Sequence, residues 1–230
     1  MCMIGTPILL TLLLKLMGVD LAAGSTLLWL NMLNELVNLL VVLLVFHRFL
    51  LGQFQTFQGS VGRIIGTIAI GYAIAYAGGI AVNLLSALLN ALGLSYNNVN
   101  QDAVSGMVLS QPLLSLPMIV ICAPIVEETL FRGLIFGLLH RKSRFWAYAV
   151  SMTAFSVLHV YSSAFSGEPW YSILLSFLTY LPFGFALAWV FERCRSLWGA
   201  IILHALNNLL AVVGILLLDR LSRLIGEFPF

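Results

Sequence analysis

The sequence predicts an all-α fold, a polytopic integral membrane helical bundle of about seven transmembrane helices. Three observations predict it. Of the 230 residues, 61% are hydrophobic and only 9% charged, against about a quarter charged in a soluble domain. Mean hydropathy is +1.03. Apolar runs recur along the whole chain at or near the roughly 20 residues that cross a hydrocarbon core. Little chain is left for a soluble domain, and a net charge of +2 carries no sign of a nucleic-acid partner.

The first run, Ile4 to Met17, is short and holds Lys15. The residues before Met17 lack a basic leading region, so they read as a span rather than a signal peptide. The second run is Ser25 to Phe46 and the third Ile64 to Leu92, with Gly78-Gly79 marking a bend or a close helix contact. The polar stretch Ser95 to Ser110 reads as an external loop. The fourth run, Leu113 to Leu139, follows Pro112 and contains Pro117 and Pro124, which would kink or divide it. The fifth is Phe145 to Val160, the sixth Trp170 to Phe191 and the seventh Leu197 to Leu218. Three segments follow: N-terminal helices and the external loop over 1–111, a helical core over 112–218, and a short tail over 219–230.

Loop charge orients the spans. Arg48 and Arg63, then Arg141, Lys142 and Arg144, then Arg193 and Arg195 mark alternate loops, while the others hold Asp20, Asp102 and Glu168. Basic loops belong in the cytoplasm, here of a bacterial plasma membrane; Arg220 and Arg223 fall on the other side, offset by Asp219 and Glu227. Cys2, Cys122 and Cys194 are far apart and odd in number, so no disulfide framework or thiolate site is expected. Trp170, Tyr171 and Trp198 lie near span borders, as in an aromatic belt.

The stretch that stands out is Pro124 to Arg132, with Glu127, Glu128 and Arg132 inside an apolar run. A charge at the centre of a membrane helix costs about 2.5–3.5 kcal/mol on insertion scales. Glu128 and Arg132 are four apart and form a pair on one face. Glu127 is rotated by about 100° from Glu128 and must meet something from another helix. A network that only braces packing is the blander reading. Two further spans carry ionisable groups: His159 ends the fifth, and His204 with Asn207 and Asn208 lies in the seventh. A lone membrane histidine is usually a packing residue; the argument rests on three helices together. Counted from the cytoplasmic ends at about 1.5 Å per residue, Glu127, His159, His204 and Asn208 lie roughly 18, 22, 12 and 18 Å deep. All four fall in one central slab. A carboxylate and an imidazole can deprotonate a water, and a second imidazole with an amide can donate to an oxyanion. Peptide-bond hydrolysis within the membrane suits this composition.

The pattern Glu127-Glu128-x-x-x-Arg132, Phe155-x-x-x-His159 and His204-x-x-x-Asn208 resembles the CPBP intramembrane proteases, which include CAAX prenyl proteases and bacterial abortive-infection and bacteriocin-processing homologues. The likeness covers about 112–218. It implies that Glu127 and His159 activate the water, that His204 and Asn208 form the oxyanion site, and that Glu128 and Arg132 support the first motif. Relatives are often labelled metalloproteases. Zinc on Glu127, His159 and His204 is the alternative to the favoured metal-free site. The partners implied are the bilayer and a peptide or membrane-protein substrate; the oligomeric state is left open. Two rival functions stand beside hydrolysis: a non-catalytic bacteriocin self-immunity or peptide-binding protein, and a proton-coupled transporter, since buried Glu and His also suit proton relays. No two-half symmetry of broken segments supports the transporter. Finally, Asn31, Asn34, Glu35 and Asn38 form a polar stripe on the second span, expected to bind neighbouring helices or line a cavity, with substrate contact as a further role.

Overall fold

The structure, a computed structural model, describes residues 24–58, 61–94 and 96–226. Within them the helices are α1 (Gly24–Gln58), α2 (Val61–Ala91), α3 (Val99–Ser110), α4 (Pro112–His140), α5 (Arg144–Val160), α6 (Trp170–Cys194) and α7 (Leu197–Gly226). There is no strand among the described residues. Five stretches, Trp29–Phe57, Val61–Ala91, Pro112–His140, Trp170–Cys194 and Leu197–Gly226, are long and apolar enough to cross a membrane. The 17 residues of α5 rise about 25 Å, a little short of a hydrocarbon core about 30 Å thick. The fold is therefore a polytopic helical membrane bundle. The expected first span, Ile4 to Met17, lies outside the described residues.

Besides α7, which continues to Gly226 through most of the expected tail instead of ending at Leu218, two boundaries differ from the sequence expectation. The helix expected to end at Phe46 runs on to Gln58, so Arg48 is in a helix and not in a loop. The extension has somewhere to pack: Phe49 and Leu50 join Val126, Leu197 and Ile201 in one apolar cluster. It also caps α7, because Gln53 Oε1 accepts from Leu197 N at 2.8 Å, Gln53 O accepts from Ser196 Oγ at 2.8 Å and Leu50 O accepts from Trp198 Nε1 at 3.1 Å. The second difference is α3. Most of the stretch expected to be an external loop is helical, with Asn98 Oδ1 accepting from Gln101 N at 3.1 Å and Asp102 in the first turn, both favourable at a helix start. Its polar composition hid it. The helix is held by tertiary contacts with α4, α5 and α7.

The central column is α6, whose Ala186, Leu187, Ala188 and Val190 are fully buried. On one side α2 approaches it through Gly71, against Val190, and Gly78, against Pro182; a Cβ at either glycine would collide with those side chains. Gly78 is thus a close contact, one of the two roles its sequence context suggested. On another side α5 packs over Gly184, next to Met152. At the basic end, Glu192 ties three helices together. It accepts from Arg144 Nε and Nη2 at 2.8 Å each and from Tyr148 Oη at 2.7 Å, and pairs with His140 Nε2 at 2.9 Å.

Candidate active site

The carboxylates ride on a distorted helix. Within α4 the hydrogen bonding shifts to the wider π pattern at Met118–Cys122 and again at Thr129–Phe136, flanking Glu127 and Glu128 on both sides. Bulges of this kind occur often at functional sites. The first has a local cause. Ala123 N donates to Met118 O, five residues back. In that register Ile119 O would face the nitrogen of Pro124, which carries no hydrogen. Asn208 Nδ2 donates to Ile119 O instead, at 2.9 Å, and so draws α7 against α4.

Glu128 and Arg132 pair as their spacing predicts, at 2.9 Å, with both side chains fully buried. Arg132 Nη2 also donates to Gly184 O at 2.9 Å, and its guanidinium lies 4.7 Å from the Phe155 ring centre. Glu128 has a further partner that spacing did not suggest: its Oε1 lies 2.8 Å from His204 Nδ1. That bond assigns Nδ1 as the protonated nitrogen and turns Nε2 of His204 towards Glu127, 4.0 Å away. His159 is fixed similarly. Its Nδ1 donates to Phe155 O at 2.9 Å, its ring lies between Phe155 and Tyr180 with centroids 4.3 and 4.5 Å away, and Nε2 stands 3.7 Å from Glu127 Oε2. Glu127 Oε2 is buried with no hydrogen-bond partner among the described residues. Both imidazole separations exceed a direct hydrogen bond. With Nδ1 protonated, the neutral His159 presents a lone pair at Nε2, so two acceptors face one point. A donor with two hydrogens, such as water, satisfies both.

Glu127, His159, His204 and Asn208 line one cavity of about 440 Å³, whose walls come from α1, α3, α4, α5, α6 and α7. The structure thus brings together residues from three motif helices, with Glu128 and Arg132 directly behind them. Sequence reasoning missed Tyr180 and α3. Tyr180 Oη donates to Asn98 Oδ1 at 3.2 Å and accepts from Asn100 Nδ2 at 3.0 Å, linking α3 to the ring that stacks on His159. The loop before α3 is docked on α6 as well: Asn97 O accepts from Ser172 Oγ and Ser176 Oγ, both at 3.2 Å. No spacing rule marks such a tyrosine. The α1 stripe does reach the site, with Asn31, Asn34 and Glu35 on the cavity wall and Asn38 buried.

No group of three or more His, Cys, Asp or Glu among the described residues is arranged to hold a metal ion. The Glu127 oxygen is 3.7 and 4.0 Å from the two imidazole nitrogens, wider than the roughly 3.3 Å between tetrahedral ligands of zinc with bonds near 2.0–2.1 Å. As arranged, the donor set does not fit zinc.

A membrane bundle with this largely buried Glu/His/His/Asn cluster has the features of the intramembrane protease class its motifs resemble. Comparison with known proteins places it more closely. Residues 109–210 match the family described as type II CAAX prenyl endopeptidase Rce1-like. The chain is 30% identical over 148 residues to "UPF0177 protein YxdF" of Lactococcus lactis, covering 64% of this chain and 76% of that protein. It is 27% identical over 122 residues to "Putative membrane peptidase YdiL" of Bacillus subtilis, covering 53% of this chain and 45% of that protein. It is 36% identical over 93 residues to "UPF0177 protein YaiF" of Lactococcus lactis, covering 40% and 37%. The chain belongs to the Rce1-like, or CPBP, family of membrane proteins. The match spans less than half of YdiL and of YaiF. No solved structure matches the chain.

Proposed function

We propose that the chain is an intramembrane endopeptidase that hydrolyses a peptide bond with a water activated by Glu127 and His159. The observation that carries this reading is the convergence of Glu127 Oε2, unpartnered among the described residues, with His159 Nε2, 3.7 Å away, and His204 Nε2, 4.0 Å away, on one cavity. Water held by the first two loses a proton to Glu127 as its oxygen attacks the carbonyl carbon. The oxyanion that forms is met by His204 Nε2–H and by the second hydrogen of Asn208 Nδ2, the first being given to Ile119 O. For that donation His204 carries a proton on Nε2 as well as on Nδ1, whose hydrogen Glu128 accepts; Arg132 keeps Glu128 in place. When the C–N bond breaks, the proton held at Glu127 passes to the leaving amine, giving a carboxylic acid and an amine. Donors preplaced for a developing oxyanion act strongly in a water-poor site. No step is routed through a metal.

Substrates of this reading are small peptides or membrane-associated proteins, cleaved in a bacterial plasma membrane with the basic helix ends in the cytoplasm. The experiment compares peptide termini by mass spectrometry in membranes holding the wild-type chain or Glu127→Ala at matched levels. Termini that need Glu127, regained in proteoliposomes of the purified protein and insensitive to chelators, are the expected result. A chelator-sensitive activity restored by zinc would overturn the metal-free step. A peptide-dependent immunity or transport phenotype that survives Glu127→Ala, without any Glu127-dependent terminus, would overturn hydrolysis.

A further inference from the structure

The cavity has a wall that the hydrolytic chemistry does not use. It is the face of α1 that carries Asn31, Asn34 and Glu35. Elsewhere around the same helix Trp29, Leu33, Leu36 and Leu40 are exposed, as suits contact with lipid. A carboxylate on such a helix is by default functional and calls for a named partner. Here Glu35 Oε1 and Asn34 Oδ1 are both buried without a hydrogen-bond partner among the described residues. Both are acceptors, so they call for a donor. The described residues lining the cavity include no Lys or Arg, and the buried guanidinium of Arg132 is committed to Glu128 and Gly184 O. Glu35 lines the same cavity as Glu127. What the wall lacks is a positive charge bearing several hydrogens.

We propose that Glu35, with Asn31 and Asn34, is a cation-accepting subsite that binds a Lys or Arg side chain of the substrate beside the bond addressed by Glu127. This rests on the cavity being the hydrolytic site. Residues 31, 34 and 35 are spaced three and four apart about the helix, so they share a face. Their three side chains offer oxygens to the three hydrogens of an ammonium or the fork of a guanidinium. A cation bound at Glu35 occupies the cavity that Glu127 also lines. A neutral or acidic side chain at the same place leaves the buried Oε1 of Glu35 unpaired, so the subsite selects by penalty as well as by attraction.

The test uses the full chain in proteoliposomes with membrane-associated peptides that differ only by Lys, Arg, Gln or Glu at each position near the scissile bond. One position is expected to favour Lys or Arg over Gln by at least about 30-fold in kcat/KM. Glu35→Gln collapses that ratio towards one, and Glu35→Lys moves the preference to Glu. Glu127-dependent cleavage without a basic preference, or with one that Glu35→Gln leaves intact, overturns the subsite and leaves the protease standing. A fluorescent Lys peptide supplies a readout independent of cleavage, by its binding to Glu127→Gln. If cleavage is absent, binding lost on adding Glu35→Gln upholds the subsite while hydrolysis falls; Glu35-independent binding or none overturns the subsite.

Discussion

Two carboxylate centres of this bundle are built in opposite ways. At the basic end, both oxygens of Glu192 are engaged: Arg144 donates twice, Tyr148 donates once and His140 stands 2.9 Å away. Around the cavity, Glu127 Oε2 has no hydrogen-bond partner among the described residues, and two imidazoles stop short of it at 3.7 and 4.0 Å. The first arrangement clasps α4, α5 and α6 and has no capacity left over. The second holds its acceptors in place and keeps them unspent. Glu128 lies between the two cases, with Oε1 shared by Arg132 and His204 and Oε2 without a partner among the described residues. Saturated carboxylates hold helices together, whereas an acceptor kept unpaired at a cost in stability is available for a reactant.

The contrast can be broken most directly at Glu127. Glu127→Gln is expected to lower kcat/KM about 100- to 10,000-fold, the usual reach of a general base, while the thermal midpoint in detergent stays level or rises. A marked fall in that midpoint would put Glu127 with the clasp residues. Arg132→Met comes next. It leaves Glu128 buried with one partner fewer, and a cost of about 3–5 kcal/mol is expected in unfolding measurements, with activity lost alongside because His204 loses its support. Glu192→Gln should cost about 1 kcal/mol, since Arg144 and His140 are largely exposed and solvent weakens their pairing; cleavage of a substrate by the folded fraction should stay at the wild-type rate. Tyr180→Phe sharpens the comparison with the smallest effect. It keeps the ring against His159 but removes the bonds to Asn98 and Asn100, for about 0.5–1.5 kcal/mol, and faster hydrogen exchange should be confined to α3.

Much of the site was legible because helical spacing is rigid. The pair Glu128–Arg132 and the shared face of His204 and Asn208 follow from residues four apart. Glu127, odd one out on the helix, does meet histidines from α5 and α7. The bond between Glu128 and His204 was not legible, since it joins residues 76 apart and depends on how α4 and α7 are rotated. The helix α3 was hidden for a related reason. Asn and Ser are weak helix formers that favour turns, and only docking on neighbouring helices holds the segment in place. The length of α1 beyond Phe46 depends likewise on the cluster beneath Phe49 and Leu50.

By itself the sequence determined the membrane class, the approximate spans described and the residues able to do chemistry. Hydrophobicity, charge placement and helical period are local properties, set by the cost of burying polar groups in lipid. Only the tertiary structure decided which nitrogen of each histidine faces Glu127, which carbonyl Asn208 satisfies, and that Glu35 and α3 border the same cavity as the motif residues. Those outcomes depend on helix rotation and approach, fixed by Gly71, Gly78 and Gly184 against their neighbours and by hydrogen bonds between residues far apart in the chain.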